Sequence, residues 1–316
     1  MITSPSPHPV ARKTKQAARP AAQALAGVRI LSLSLNLPGP AALQRCRAMG
    51  ARCTKLEPPA PIPSADAAAI TGDPMSRYSP TAYQALQTGL RVRVADLKTP
   101  AGQATLRREL RQANVLLTSF RPSALRKLGL DWPTLQARYP TLSMVAIFGE
   151  HGAAAEHAGH DLTYVAQAGL VTGLDLPATL FADMAGALMA SEAVLQAVLL
   201  QRQNGSGQKI ELALADAATH LALPRTWGSV AYNTLLGGAH AGYAIYPCQD
   251  GRVALAALEP HFAQRLCAVA GIAWRDFAQM TEPDTHTRLT QFTAALTRAQ
   301  LDALALQHDI PLHTLA

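Results

Sequence analysis

Charged and aromatic residues are scarce in this chain of 316 residues. Asp, Glu, Lys and Arg together make up 16 % of the sequence and aromatic residues 5 %, whereas charged residues reach roughly 25 % in an average protein. Apolar residues make up 49 %, which excludes a disordered chain. No uninterrupted apolar run approaches the roughly 18 residues of a membrane-spanning helix. The composition predicts a soluble globular protein with one large domain or two moderate ones.

Acidic residues are missing from the start of the chain, where Glu57 is the first. Nine basic residues precede it: Arg12, Lys13, Lys15, Arg19, Arg29, Arg45, Arg47, Arg52 and Lys55. The net charge of the whole chain is +7, which favours an anionic partner. The sequence has neither interleaved aromatic residues nor zinc-finger spacing, so we expect a small phosphorylated ligand rather than a nucleic acid.

Cysteine is also rare, and none of the four cysteines forms a CxxC pair. This pattern argues against a zinc site or a disulfide framework and fits a reducing compartment such as the cytoplasm. His151, His157 and His160 are close in sequence, but their spacing matches no standard zinc pattern. We therefore predict no metal site.

The order of apolar segments predicts the organisation of the chain. Residues 1–24 have no apolar periodicity and are predicted to be a disordered extension. Residues 25–222 alternate strands and helices, which is typical of a doubly wound, mostly parallel α/β sheet. A hairpin pattern over Tyr243–Leu258 then predicts a second, smaller α+β domain, preceded by a linker, within residues 223–316. Ligands of doubly wound sheets bind at the carboxyl ends of the strands.

Three ionisable positions stand at junctions between elements and loops, where active-site groups tend to be held. One is His160 in Ala158-Gly-His-Asp161, with Tyr164 three residues further on. The others are Asp183, at the start of an apolar helix, and Glu259, at the end of an apolar strand. Each also has a structural interpretation: Asp183 as a residue favoured by the helix dipole, Glu259 as a helix cap, and His160 as a hydrogen-bonded loop residue.

Several segments, in order, match the motifs of a known family. They are Leu25-Ala-Gly-Val-Arg-Ile-Leu31, Leu37-Pro-Gly-Pro40, Lys55-Leu-Glu-Pro58, Asp96-Leu-Lys-Thr-Pro-Ala-Gly102, Phe120-Arg-Pro122, Ala158-Gly-His-Asp161, Asp183, Gly205-Ser-Gly-Gln208, Asp250-Gly251 and Glu259-Pro260. From residue 25 to near residue 315 the chain resembles the family III CoA-transferases (CaiB/BaiF), a group that includes the α-methylacyl-CoA racemases. The Ala-Gly-His-Asp and Glu-Pro segments resemble the racemase branch.

The resemblance implies an enzyme whose substrate is a coenzyme A thioester and which binds no cofactor covalently. In a racemase, His160 assisted by Glu259 would serve one face of the substrate α-carbon and Asp183 the other. In a CoA-transferase, Asp183 would be the nucleophile that forms an acyl anhydride and then a CoA thioester. Candidates for binding CoA are Lys55, Arg91, Arg93, Arg121, Asp161 and Tyr164. The family also implies a homodimer, interlocked in its known members.

The chain departs from the family pattern at several positions. The basic Asn-Arg-Gly-Lys-Arg segment is Gln87-Thr-Gly-Leu-Arg91 here, which has two cations fewer, and Ser32 replaces the first-strand Asp. The Gly-Gln-x-Gly-Pro loop is Gly149-Glu-His-Gly-Ala153. The sequence stops at Ala316, short of the segment that returns to the large domain in the family. These departures leave a third possibility, a catalytically weak CoA-binding paralogue.

Overall fold

The structure, a computed structural model, describes residues 23–60 and 71–316. It divides into two compact units, the first ending at Ala218 and the second beginning at Thr219. The predicted disordered extension, residues 1–24, lies outside the described residues apart from Gln23 and Ala24.

The first unit is built on a six-stranded sheet in the order β3-β2-β1-β4-β5-β6. Every neighbouring pair is parallel, which confirms the expected doubly wound α/β class. The strands are β1 (Arg29–Ser32), β2 (Arg52–Glu57), β3 (Arg91–Val94), β4 (Val115–Thr118), β5 (Ser143–Phe148) and β6 (Lys209–Ala213). All residues of β4 and β5 are buried, as expected for central strands that are covered on both faces.

Helices cover both faces of this sheet. They are α1 (Pro38–Ala48), α2 (Met75–Tyr78), α3 (Pro80–Gln87), α4 (Pro100–Leu110), α5 (Pro122–Leu128), α6 (Trp132–Arg138), α7 (Asp161–Gln167), α8 (Phe181–Asn204) and α9 (Leu214–Leu221), with a 3₁₀ turn at Gly152–Glu156. Side chains of α1, α7 and α8 form the core on one face. Side chains of α4, α5 and α6 form the core on the other.

Helix α8 is the longest element, with 24 residues. Its mean hydropathy of 1.4 and its length would allow it to cross a membrane. It instead packs along α1 through alanines such as Ala190 and Ala197, which are fully buried in the core of the first unit. The Arg45 side chain of α1 also donates a hydrogen bond to Ser191 Oγ at 2.9 Å. These contacts identify α8 as a core helix. It ends at Gly205, which has the left-handed φ of 72° typical of a helix terminus.

The sheet topology brings the candidate loops to one edge. Strand order reverses between β1 and β4, which lie side by side although the chain reaches β2 and β3 between them. In parallel sheets the loops on either side of such a switch point separate and leave a crevice at the carboxyl edge. Here the loops after β1, β4 and β5 line that crevice.

The second unit contains a three-stranded antiparallel sheet with the order β7-β8-β9. Its elements are α10 (Leu223–Thr226), β7 (Tyr243–Cys248), β8 (Gly251–Ala256), α11 (Pro260–Val269), α12 (Pro283–Ala294), α13 (Arg298–His308) and β9 (Leu312–Leu315), with 3₁₀ turns at Leu235–Gly237 and Phe277–Thr281. Val253, Leu266 and Leu289 are among the residues of a separate hydrophobic core. The expected smaller α+β fold is therefore present.

Candidate active site

A cavity of about 150 Å³ opens at the carboxyl edge of the six-stranded sheet. Loop residues that follow three different strands contribute to its wall, among them Asn36 after β1, Arg121 after β4 and Gly149 after β5. His160 and Asp183, from two further segments, line the same cavity. The fold thus brings an imidazole, a carboxyl group and a guanidinium group from distant parts of the sequence to one cavity.

Asp183 lies in the first turn of α8 and is half-buried. Burial, and then the charge of nearby Asp161, raise the pKa of the Asp183 carboxyl from 3.8 to about 7. Asp161 is 5 % exposed, and its Oδ1 accepts a hydrogen bond from the Asp183 backbone N–H at 2.9 Å. This bond fixes the first turn of α8 against the first turn of α7. At neutral pH the Asp183 carboxyl is therefore divided between its acid and base forms.

His160 immediately precedes α7, and its backbone is held in place by Thr163. The His160 N–H donates to Thr163 Oγ1 at 3.2 Å, and Thr163 Oγ1 donates to the His160 carbonyl at 2.7 Å. The His160 ring is exposed and lines the cavity. Its backbone is therefore anchored at the cavity wall.

Tyr164 fills the wall behind His160. Its ring is buried, and a Cβ added at either Gly149 or Gly159 would overlap the tyrosine hydroxyl. Glycine is therefore required at both positions if the tyrosine is to stay in place. Burial and the negative charges of Glu150 and Asp183 raise the pKa of the Tyr164 hydroxyl, so it stays protonated. The glycine of Ala-Gly-His-Asp thus serves close packing as well as loop geometry.

Of the four cations predicted to contact CoA phosphates, Arg121 lines this cavity. It is exposed and directly precedes α5. The Glu156 carboxylate nearby accepts hydrogen bonds from the backbone N–H and the hydroxyl of Ser123, both at 2.7 Å. Glu156 is thereby occupied at the start of α5, and the Arg121 guanidinium forms no ion pair with any described residue.

Lys55 is in a different environment. Its side chain is 0 % exposed, and the ammonium lies 2.7 Å from Glu57 Oε1 and in contact with Asp73 Oδ2. An ammonium enclosed between two buried carboxylates stabilises the interior and has no surface to offer a phosphate. The prediction that Lys55 contacts CoA phosphates finds no support in this placement.

Arg91 and Arg93 stand on β3 and face Glu109 of α4. Arg93 Nε is 3.4 Å from Glu109 Oε1, and Arg91 Nη1 is 4.0 Å from Glu109 Oε2. Neither arginine is among the residues that line the cavity at the carboxyl edge. Of the other two residues predicted to contact CoA, Asp161 accepts the Asp183 N–H and Tyr164 lines the cavity.

Glu259 belongs to the second unit. The residue is exposed and immediately precedes α11. Its backbone carbonyl accepts hydrogen bonds from Phe262 and Ala263 at 3.0 and 2.9 Å, whereas its side chain makes no capping hydrogen bond. The carboxylate is therefore not used as a helix cap.

Asn36 is a cavity residue that the sequence analysis missed. Its φ of 61° is left-handed, a conformation that asparagine tolerates better than most residues. The Asn36 N–H donates to Asp73 Oδ1 at 3.0 Å, so the buried partner of Lys55 also holds this loop. Asn36 Oδ1 is buried and has no hydrogen-bond partner among the described residues. A lone asparagine between a strand and Leu37-Pro-Gly-Pro40 was the available signal.

Residues 23–60 and 71–316 contain no candidate metal site. These residues contain no group of three or more His, Cys, Asp or Glu side chains that could hold an ion. His151, one of the three neighbouring histidines, is instead paired through Nε2 with Asp216 Oδ2 at 2.6 Å.

Comparison with known proteins adds a family to this geometry. Residues 25–316 match CoA-transferase family III. A succinate–glutarate CoA-transferase of Agrobacterium fabrum is 30 % identical over 269 residues, which cover 78 % of this chain and 66 % of that protein. The alpha-methylacyl-CoA racemase of Homo sapiens is 30 % identical over 267 residues, covering 79 % of this chain and 65 % of the racemase. The chain thus spans just under two thirds of the length of these relatives.

Solved structures share the fold at lower identity. A hypothetical protein of Mycobacterium tuberculosis superposes with a TM-score of 0.75 at 23 % identity, covering 93 % of this chain and 86 % of that one. A CAIB/BAIF family protein of Brucella suis superposes with a TM-score of 0.73 at 24 % identity, covering 92 % and 84 % of the two chains. Both comparisons support the two-part architecture described above.

Proposed function

The chain belongs to CoA-transferase family III, and on that premise we propose that it is an enzyme that inverts the α-carbon of a 2-methylacyl-CoA thioester. One observation carries the proposal: the His160 ring and the Asp183 carboxyl, whose pKa is about 7, line the same cavity. The family contains both racemases and CoA-transferases, and its relatives of each kind are about equally similar to this chain. The chemistry of the cavity must therefore decide between them.

Inversion at a carbon next to a thioester needs two proton-transfer groups. One base removes the α-proton, and the C–H electron pair moves into an enolate whose charge rests on the thioester oxygen. A conjugate acid on the opposite face then returns a proton to the α-carbon. We assign His160 to one face and Asp183 to the other, so that each is the base in one direction and the acid in the other.

The pKa of Asp183 suits a group that acts as a base in one direction and as an acid in the other. A group with a pKa near the working pH combines a useful fraction of each protonation state with adequate base strength. An ordinary aspartate would be almost fully ionised at pH 7 and a poor proton donor. Because burial and the charge of Asp161 raise the pKa of Asp183 to about 7, its carboxyl group can also donate a proton at neutral pH. A nucleophilic carboxylate has no such need, because only its ionised form attacks.

Enolate stabilisation requires donors other than the amide of Asp183, because that N–H already bonds to Asp161.

Arg121 is the cation in the cavity wall that has no described carboxylate partner. We assign it to the negatively charged part of the substrate, where guanidinium geometry suits phosphate oxygens. Replacing Arg121 with Gln should weaken CoA binding, measured by calorimetry.

Exchange of the α-proton tests the proposal. Each purified epimer of a 2-methylacyl-CoA is incubated in deuterated water, and label at the α-carbon is followed by mass spectrometry. Wild-type protein should label both epimers. His160→Gln and Asp183→Asn should each abolish inversion but remove exchange from opposite epimers, because each variant retains one base.

A matched control is His220→Gln, which removes an exposed imidazole of α9 that does not line the cavity. It should exchange at the wild-type rate. Absence of exchange with every branched acyl-CoA tested would refute the racemase assignment. Loss of both epimers' exchange in a single variant would refute the two-base arrangement.

A second candidate is CoA transfer between carboxylic acids, favoured by Asp183 facing the cavity and by similarity to a CoA-transferase. Its carboxylate would attack the thioester carbonyl and expel CoA as a thiolate, leaving an acyl anhydride. Attack of the thiolate on the aspartyl carbonyl would release the first acid and leave an aspartyl-CoA thioester, which an acceptor carboxylate then consumes by the reverse steps. Hydroxylamine during turnover should trap Asp183 if this candidate is right. Binding of CoA with neither exchange nor adduct would identify a catalytically weak paralogue.

We further propose that the protein is a cytoplasmic homodimer. Phe181, Met184, Leu188 and Leu199 of α8 are large apolar side chains that remain exposed, and a second copy of the chain would cover them. The four cysteines are free, as a reducing compartment requires. Light scattering after size-exclusion chromatography measures the stoichiometry, and replacing Leu188 with Glu should shift it towards the monomer.

A further inference from the structure

We propose that the first unit has a second ligand site, at the edge of the sheet opposite the candidate active site, for a small anion with two adjacent phosphates. A cavity of about 280 Å³ lies there. Its lining includes Arg29, Arg52 and Arg91, which are the first residues of β1, β2 and β3. This site does not depend on the proposed racemase chemistry.

Strand register directs the three arginines to one place. Arg29 pairs with Arg52, and Arg91 pairs with Thr54, two residues after Arg52. Residues paired across parallel strands point to the same face, and residues two apart on one strand do so as well. The three guanidinium groups therefore share the face of the sheet that α4 covers. Three adjacent strands thus begin with a cation on the same face.

Most of this charge is not neutralised. Glu109, the carboxylate in the lining, is 7 % exposed. It is engaged by Arg93 and Arg108 at 3.4 and 3.7 Å, and by Arg91 at 4.0 Å. Arg29 and Arg52 have no carboxylate partner in the part of the chain that the structure describes. Three guanidinium groups and one carboxylate give the cavity lining a formal charge of +2.

The end of α4 adds to the positive potential. Arg107 and Arg108 lie in its last turn and Arg111 immediately follows, all exposed. Their charges exceed the partial negative charge of about one half that a helix carries at its carboxyl end. Like charges held together cost free energy in the empty protein, and an anion that bridges them relieves that cost.

Shape and donor chemistry select the ligand class. A concave space of this size accepts a small molecule, whereas a nucleic acid or membrane needs an extended surface. Guanidinium groups bind phosphate oxygens through two parallel hydrogen bonds. Thr54 and Gln112, also in the lining, supply neutral polar groups. A diphosphate offers each of two strand-terminal arginines a phosphate group of its own, so that both can form paired hydrogen bonds.

The two cavities are different sites. The candidate active site lies beyond the carboxyl ends of the strands, and this one surrounds their amino ends. Strands of four to six residues separate the edges by roughly 13 to 20 Å at about 3.3 Å per residue. The two cavities share no lining residue.

Binding of inorganic pyrophosphate to the full chain tests the proposal by calorimetry and thermal unfolding, with sulfate at equal ionic strength as the comparison. Pyrophosphate should bind and raise the unfolding temperature more than sulfate does. Arg52→Gln should weaken binding about tenfold or more, because it removes a charge-assisted pair of hydrogen bonds. It should also raise the unfolding temperature of the ligand-free protein, since it relieves repulsion.

Matched variants separate this site from a general charge effect. Arg225→Gln removes an exposed guanidinium of the second unit, and Arg121→Gln alters the other cavity. Arg225→Gln should bind pyrophosphate as wild type does, and Arg121→Gln should keep the binding that Arg52→Gln loses. If Arg52→Gln folds poorly, Arg29→Gln serves in its place. ADP shares the diphosphate, so tighter binding of ADP would identify a nucleotide as the ligand and equal binding the phosphates alone.

Three results would overturn the proposal. The first is the absence of pyrophosphate binding at millimolar concentration. The second is equal binding of sulfate, or equal loss of binding in Arg225→Gln, which would indicate an adventitious charge effect. The third is a loss of binding in Arg121→Gln together with unchanged binding in Arg52→Gln, which would assign the anion to the candidate active site.

Discussion

The charge of Asp161 adds to the effect of burial in raising the pKa of Asp183, and replacing Asp161 with Asn tests that contribution. The pKa of Asp183 rises from 3.8 to about 7, with burial as the larger cause and the Asp161 charge as the smaller. Less than half of this rise therefore belongs to the charge, at most about 1.5 pH units or about 2 kcal/mol. The amide of Asn presents the same acceptor oxygen to the Asp183 N–H, so the geometry should persist.

The assay is the pH dependence of α-deuterium exchange, measured from pH 4.5 to 9 with the epimer whose proton Asp183 removes. The rate of this direction rises with pH as the carboxylate forms. In Asp161→Asn that rise should move to lower pH by up to about 1.5 units, because removing a negative neighbour favours ionisation. The plateau rate should fall modestly, since the carboxylate becomes a weaker base.

Asp175→Asn is the matched control, because Asp175 is an exposed carboxylate in the segment between α7 and α8. Its pH profile should coincide with that of the wild type. An unmoved or upward-shifted rise in Asp161→Asn would refute the reasoning, since the protein would then set the pKa of Asp183 without the neighbouring charge.

Three further predictions concern stability, each measured by chemical denaturation. Asp183→Asn should match wild type near pH 4 and become more stable as pH rises to 7, by at most about 4 kcal/mol, because ionising a carboxyl of raised pKa costs free energy only in the folded state. Gly159→Ala should lose about 1–3 kcal/mol, because its methyl group overlaps Tyr164, whereas Gly173→Ala has open space and should lose little. Lys55→Met should lose about 3–5 kcal/mol, because two buried carboxylates lose their shared cation.

Each of these has a contrary outcome. A pH-independent difference between Asp183→Asn and wild type would mean that the carboxyl ionises equally easily in both states. Equal destabilisation by the two glycine variants would remove Tyr164 from the explanation. A stable Lys55→Met protein with weakened CoA affinity would restore Lys55 as a phosphate ligand.

Local patterns predicted much of the first unit. Strand Ser143–Phe148 follows from an uninterrupted apolar run, and helix Pro122–Leu128 from a Pro at its start and a Gly after its end. Strand β3 shows no such local pattern. Its sequence, Arg-Val-Arg-Val, belongs to a short edge strand in which the arginines interrupt the apolar pattern.

The candidate site depended on tertiary structure to a greater degree. The family resemblance singled out His160 and Asp183, but no pattern in the sequence shows that Asp161 accepts the Asp183 N–H 22 residues away. In the sequence, Lys55 has the pattern of an ordinary exposed strand residue. Only the folded structure brings Asp73, 18 residues later, into contact with its ammonium group. Such contacts form only when separate elements pack together, so they cannot be predicted from the residues next to each partner in the sequence.

The alanine contact between α1 and α8 affects how the size of the cavity can change in evolution. Helix α1 starts in the cavity wall at Pro38, and α8 carries Asp183 at its own start. The spacing of these two helices is set by small side chains such as Ala190. An added methyl group there would move the two helices apart and widen the cavity. The size of the ligand that the cavity accepts can therefore change in evolution while every residue that contacts the ligand stays the same.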